Sequence, residues 1–182
     1  MKKYGILIVL LLNFASIWGQ KEAANWYFGK FAGLNFNTKI PVPLKGEMDT
    51  GEGCASISNR SGSLLFYTDG STIYNRIGEI MPNGQELRGG NSSTQSALIV
   101  PNPQNDNIYY VFTVNHAEKK ETDEEKFGLN YSVVDMRLQN GFGDVVPESK
   151  NTHLITYDVN DKEQADWKCS EKIAATSHSN QK

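Results

Sequence analysis

Gly53-Cys54-Ala55-Ser56-Ile57-Ser58, a turn, and then Leu64-Leu65-Phe66-Tyr67-Thr68 are echoed downstream by Gln95-Ser96-Ala97-Leu98-Ile99-Val100, a second turn, and Tyr109-Tyr110-Val111-Phe112-Thr113. Each half joins a run of small and β-branched residues to an aromatic-rich run, the composition of two paired strands. The spacing is nearly constant: 42 positions separate Ala55 from Ala97, and 45 separate Thr68 from Thr113. Both links are turn formers. Asn59-Arg60-Ser61-Gly62 makes the first, and Pro101 to Asn107 the second, with prolines where no ladder donor is needed.

Outward from this pair of hairpins the same texture continues. No segment sustains a 3.6-residue apolar period. Short aromatic and β-branched runs recur instead between Gly, Asn, Asp, Pro and Ser. Strands are expected at Trp26–Gly29, Gly33–Phe36, Ala55–Ser58, Leu64–Thr68, Thr72–Asn75, Ala97–Val100, Ile108–Val114, Leu129–Met136, His153–Tyr157 and Lys172–Thr176. Several alternate as half-buried strands do, for example Leu129, Tyr131 and Val133 against Asn130 and Ser132. The chain reads as all-β.

A recurrence of this length matches the period of about 40 to 50 residues of one four-stranded propeller blade. The expected fold is therefore a partial β-propeller of antiparallel four-stranded blades, with a β-sandwich as the alternative. The chain supplies roughly two blades plus the start of a third, placed at Lys172-Ile173-Ala174-Ala175-Thr176-Ser177-His178, with His116 to Lys126 as an exposed, charged insertion. Rings close with about four to eight blades. A shorter array leaves sheet faces and edges uncovered. The remaining blades are expected in a missing C-terminal part of the same, longer protein, of which this chain is a fragment. The polar stretch Ser177 to Lys182 offers no closing strand.

Lys2 and Lys3 followed by the apolar run Tyr4 to Leu12 form a basic start and a short hydrophobic region. That run is shorter than the roughly 20 residues needed to span a bilayer. It reads as a secretory signal peptide over residues 1–20, removed after Gly19 or Gln20, with the domain over 21–182. Export places the chain in the periplasm, at the cell surface or in the medium, with no membrane span after cleavage. A formal charge of −3 and no Lys/Arg cluster longer than two disfavour nucleic acid. The two cysteines, Cys54 and Cys169, are far apart in sequence, and an oxidising compartment permits a disulfide between them.

A longer set of motifs carries a resemblance. Asn25-Trp26-Tyr27-Phe28-Gly29, Ala32-Gly33-Leu34-Asn35-Phe36, Glu52 to Ser58, Leu64 to Gly70, Ile80-Met81-Pro82-Asn83-Gly84, Ser92 to Pro101, Tyr109 to Thr113 and Tyr131 to Met136 follow one another in order. Over nearly the whole mature chain this resembles the N-terminal region of large secreted surface proteins of Bacteroidetes. Those proteins end in a gliding-motility-associated sorting domain for type IX secretion (type B). The resemblance implies a propeller-like fold and a surface destination, and it brings no catalytic residue with it. The sorting domain itself is not in this chain.

Motifs that carry chemistry are sparse. Tyr67-Thr68-Asp69-Gly70-Ser71-Thr72-Ile73-Tyr74 is similar to the Asp-box turn of sialidase-type propellers, yet Asp-Gly between strands is also what a tight turn needs. Asp69, Asp106, Asp135 and Asp144 are candidates for an acid/base pair of glycoside hydrolysis only if two of them converge. Asp123, Glu124 and Glu125 read as a solvated loop, and His116, His153 and His178 lack metal-ligand spacing. No nucleophile elbow, phosphate loop or zinc-protease motif occurs. Ser92 to Ser96 reads as a hydrogen-bonded strand entry, with a ligand rim as the alternative.

Asp69, Tyr74 and Gln95 are the ligand-binding candidates. Neither a metal nor a cofactor is expected. The expected function is a non-catalytic scaffold or a glycan- or protein-binding module of a surface protein. The alternative is part of a sialidase-like or other carbohydrate-active hydrolase.

Overall fold

A computed structural model describes residues 21–90, 92–115 and 127–176. The expected signal peptide over residues 1–20, the acidic run Asp123 to Glu125, His116, His178 and the tail from Ser177 lie outside the described residues. The described chain is all-β except for one short helix. It forms three antiparallel sheets, each built from strands that follow one another in the chain.

The first sheet holds β1 (Asn25–Phe28), β2 (Lys30–Asn35) and β3 (Val42–Asp49) in that order. The second holds β4 (Ala55–Ser58), β5 (Leu64–Thr68) and β6 (Ile73–Asn75). The third runs β7 (Ala97–Asn102), β8 (Asn105–Val114), β9 (Leu129–Asp135), with β10 (Asp144–Val145) and β11 (Thr152–Leu154) both paired to β9. These last two share one outer position. Between them Pro147–Ser149 makes a 3-10 turn, and side chains stand in for the broken ladder. The Val133 N–H donates to Ser149 Oγ and the Asn151 N–H to Ser132 Oγ, both at 3.0 Å.

Several expectations need correction. A complete sheet precedes the repeat, so the described residues form three sheets rather than two and a beginning. Its third strand, β3, escaped notice because Pro41, Pro43 and Gly46 argue against a strand. Pro43 is accommodated because β3 is an edge strand. The expected third start does not form: Lys172–Thr176 is not a strand. The His153–Tyr157 strand is confined to Thr152–Leu154. The sheets are three- and five-stranded rather than uniformly four-stranded, and among the described residues they do not close into a ring. Helix α1 (Lys162–Trp167) is too short to show a period, although its N-cap is legible: Asp161 accepts from the Gln164 N–H at 3.1 Å.

The hairpin echo is real at the level of pairing. Ala55 faces Thr68 in the second sheet, as Ala97 faces Thr113 in the third. Orientation is not repeated. Phe66, Ile57 and Ile73 of the second sheet meet Tyr109, Val111, Val134 and Val145 of the third in one buried core. The Phe66 and Tyr109 rings touch edge-to-face at 5.6 Å. Ile57 and Ile99, equivalent by pairing, thus look toward each other across the seam. The other face of the second sheet packs on the first: Tyr67, 1% exposed, stacks on Tyr27 at 4.2 Å and on Tyr74 at 5.2 Å. The second sheet is therefore covered on both faces. The leading strands are neighbours, β1 beside β4 and β4 beside β7.

Candidate functional site

Asp69 follows β5 at the end of the second sheet opposite the Asn59–Gly62 turn. Its Oδ1 accepts from the Ser71 N–H (2.8 Å), the Ser71 hydroxyl (2.8 Å) and the Thr72 N–H (2.7 Å). This is an Asp side chain tying its own turn, which lets Gly70 take φ +91°. A Cβ on Gly70 would lie 2.8 Å from that of Ser96. The Ser96 hydroxyl in turn sits between the carbonyl oxygens of Gly53 (2.8 Å) and Asp69 (2.6 Å). Ser93 and Ser96 are both fully buried, and the Ser93 hydroxyl donates to the Val114 carbonyl at 3.1 Å. Together these contacts clamp the second sheet to the third. Asp69 Oδ1 is thus engaged within its own turn.

The other two candidates belong to different sheets, Tyr74 to β6 and Gln95 to the entry of β7. Tyr74 is half-buried in the tyrosine stack. Burial first, and the Asp69 charge second, push its phenol above the ordinary range. Gln95 lies just ahead of β7, where its N–H donates to the Glu171 carbonyl at 3.2 Å and Thr94 Oγ1 bonds Glu171 Oε1 at 3.0 Å. No disulfide joins Cys54 to Cys169. Burial, then the Asp69 charge, raises the Cys54 thiol, which keeps it protonated and weakly nucleophilic.

Of the candidate carboxylates, Asp135 and Asp144 are cross-strand partners on β9 and β10, and each is held by its own hydrogen bonds. Asp135 is held by Arg137, whose guanidinium reaches Asp135 Oδ2 at 2.6 Å. Asp144 accepts from Asn83 Nδ2 and Gln139 Nε2 on the rim. Asp106 lies elsewhere, in a groove that sequence reasoning did not find.

That groove, of about 340 Å³, opens on the seam between the second and third sheets at their hairpin ends. Glu22, Arg60, Asp106 and Tyr109 give it its chemistry, with Ser58 and Asn59 beside them. Arg60 Nη2 bonds Asp106 Oδ1 at 3.1 Å, and the Tyr109 hydroxyl donates to the Asp106 carbonyl at 3.0 Å. The Ser58 N–H fixes the Glu22 main chain at 2.8 Å. Glu22 Oε2 is enclosed without a hydrogen-bond partner. Burial, then the charges of Asp106 and Glu22, lift the Tyr109 phenol above its usual range, while Arg60 lowers it. Acceptors and one exposed guanidinium in a shallow cleft suit reversible binding of hydroxyl- or amide-bearing groups. Glu22 gave no signal in sequence because it lies ahead of the first strand, and only folding carries it to turns that begin almost forty residues later.

A second polar feature lies in the third sheet. Thr113 Oγ1, Asn130 Oδ1 and His153 Nε2 are buried and unpartnered. They belong to one cross-strand row, Thr113 facing Asn130 and Asn130 facing His153. Such rows are where ordered water bridges buried groups. Among the described residues, no group of three or more His, Cys, Asp or Glu gathers in a way that could hold a metal. Among the same residues, no helix is long and apolar enough to cross a membrane. No family model, curated protein or solved structure matches the chain.

Proposed function

We propose that this chain is a non-catalytic, exported β-propeller segment that serves as a scaffold or as a binding module for surface glycans or proteins. It is of the kind the sequence resembles in Bacteroidetes surface proteins sorted by type IX secretion. One observation carries the reading. Three successive antiparallel sheets stack face to face with their leading strands β1, β4 and β7 side by side, as the inner strands of successive blades are arranged around an axis. The irregular outer positions fit the same plan. The Glu79–Leu87 stretch runs along β6, with the Met81 N–H donating to the Ile73 carbonyl at 2.9 Å, and β10 with β11 flanks β9. Each sheet after the first thus has a fourth position.

Binding is assigned to the seam groove, between the turns of two adjacent blades. The chain would be screened on glycan and matrix-protein arrays beside Arg60→Ala and Asp106→Ala. Retention of a ligand by the parent and its loss in both variants supports the binding module. Uniform silence removes it and leaves the scaffold alone. The hydrolase alternative has little support, since the Asp69 carboxylate that suggested it is bonded within its own turn. Glycoside hydrolysis lost in a folded Asp69→Asn variant would restore it.

A further inference from the structure

We infer that the seam groove takes an uncharged saccharide, gripped through adjacent hydroxyls, and discriminates against acidic sugars. The inference rests on the binding-module reading above and deepens it, choosing glycan over protein and naming the class of glycan.

Depth sorts the polar groups of the groove. Tyr109, 6% exposed, and the enclosed Glu22 Oε2 lie at its floor, whereas the Arg60 and Asp106 side chains, 80% and 71% exposed, stand at its rim. The floor offers acceptors. Glu22 Oε2 has no donor, and the Tyr109 hydroxyl, whose proton goes to the Asp106 carbonyl, has only lone pairs left. A carboxylate oxygen shut away from water without a donor is unfavourable. Its soft terminal torsion lets the carboxyl turn toward an arriving hydroxyl. The rim offers both kinds of group. Arg60 gives one N–H to Asp106 Oδ1 at 3.1 Å, so its other N–H groups and Asp106 Oδ2 form an adjacent donor and acceptor. Asn59 adds a donor: its Oδ1 accepts from the Ser61 N–H, the Ser61 hydroxyl and the Ser63 N–H, which leaves Nδ2 to donate.

This pattern separates the ligand classes. A lysine-type ammonium answers the acceptors alone, leaves Arg60 and Asn59 nothing to donate to, and lies against the guanidinium charge. A carboxylate or sulfate does the reverse and meets the unpartnered Glu22 oxygen with another acceptor. Two carboxylates against one guanidinium also give the groove a net negative charge, which repels anions. A trans peptide group carries a donor and an acceptor, but they point in opposite directions and do not both meet one side-chain pair. Vicinal hydroxyls lie side by side, and each both donates and accepts. One donates to Asp106 Oδ2 while its neighbour accepts from Arg60, and a further hydroxyl of the same ring donates to Glu22. The volume of about 340 Å³ is near the lower end of the range for small-ligand pockets, about 300–1,000 Å³, and suits a small sugar.

The test is a ligand-observed NMR titration of the purified chain with the methyl glycosides of glucose, galactose and mannose, each beside its uronic acid, and with Nα-acetyl-lysine amide as the ammonium probe. Glu22→Gln and Asp106→Asn are titrated in parallel, with far-UV circular dichroism to confirm that each keeps its sheets. One neutral glycoside should bind at least about 10-fold more tightly than its uronic acid. Each variant should bind it about 10- to 100-fold more weakly, the loss of one hydrogen bond to a charged group. Binding of the uronic acid should not fall with it, so the discrimination collapses, a pattern that partial unfolding does not produce. A uronic acid or the lysine probe bound as tightly as the best neutral glycoside overturns the inference and leaves the groove as a binding site. Neutral binding that neither variant changes places the sugar elsewhere and also overturns it. No glycoside binding, with a matrix protein retained through Arg60 and Asp106 in the array screen, overturns the saccharide and keeps the binding module; silence in both experiments removes the two together.

Discussion

Truncating Phe66 tests whether the second and third sheets share one core. The side chain is fully buried, is paired through β5 with Ile57, and meets Tyr109 edge-to-face across the seam. Phe66→Ala should therefore cost about 3–5 kcal/mol, the range for emptying a buried aromatic site. Against a total stability of about 5–15 kcal/mol for a domain, that is a large fraction. Urea unfolding followed by far-UV circular dichroism is the assay, at one fixed chain concentration, because association shifts apparent stability. Tryptophan fluorescence is the poorer reporter, since Trp26 and Trp167 are about half exposed. Ile155→Ala, at a site 66% exposed, is the control and should stay within about 0.5 kcal/mol. Combining Phe66→Ala with Tyr109→Ala completes the cycle. A coupling of about 0.5–1.5 kcal/mol is expected for an aromatic pair in contact. Strict additivity, or a loss at Phe66 no larger than the control, would refute the shared core and with it the stacked arrangement.

Three further outcomes follow from local geometry. Tyr67→Phe removes the hydroxyl that accepts the Glu47 N–H at 3.0 Å and should cost about 1 kcal/mol in the same unfolding assay. The Cys54 thiol, raised by burial and by Asp69, should alkylate more slowly than a small-molecule thiol at neutral pH, with the gap closing in urea; equal rates would deny the burial. Asp135 is held below its ordinary range first by the hydrogen bond from Arg137. It therefore stabilises the fold above the unfolded carboxylate value of about 3.9 and loses that contribution as pH falls through the lowered folded value. Asp135→Asn should flatten the acid limb of the stability profile, and an unchanged limb would count against the pairing.

Strand existence was largely legible because aromatic and β-branched runs bounded by turn residues have few other uses. Ala55–Ser58 and Leu64–Thr68 begin and end where composition says they should. The failures share a cause. Val42–Asp49 hid behind two prolines and a glycine that an edge strand tolerates, and Gly46 is needed there, since a Cβ would fall 2.6 Å from the Tyr27 ring. Lys172–Thr176 looked like a strand and is not one, since intrinsic β-propensity needs a neighbouring strand to act on. The groove residues were invisible for a different reason: Glu22 lies ahead of β1, Arg60 in the turn between β4 and β5 and Asp106 at the start of β8, and charged residues in such places ordinarily mean solvent.

The hairpin echo shows where local sequence stops determining architecture. Ala55 with Thr68 and Ala97 with Thr113 repeat a pairing that composition and turn length can encode. Which face of the sheet a pair presents is not encoded there, because a slip of one residue turns every side chain over. Ile57 and Ile99 consequently meet across one core instead of pointing the same way around an axis. Phe66 and Tyr109 are buried in that seam and meet edge-to-face. The faces left over then gather the remaining aromatics, Trp26 and Phe28 at one end of the stack, Tyr110 and Phe112 at the other.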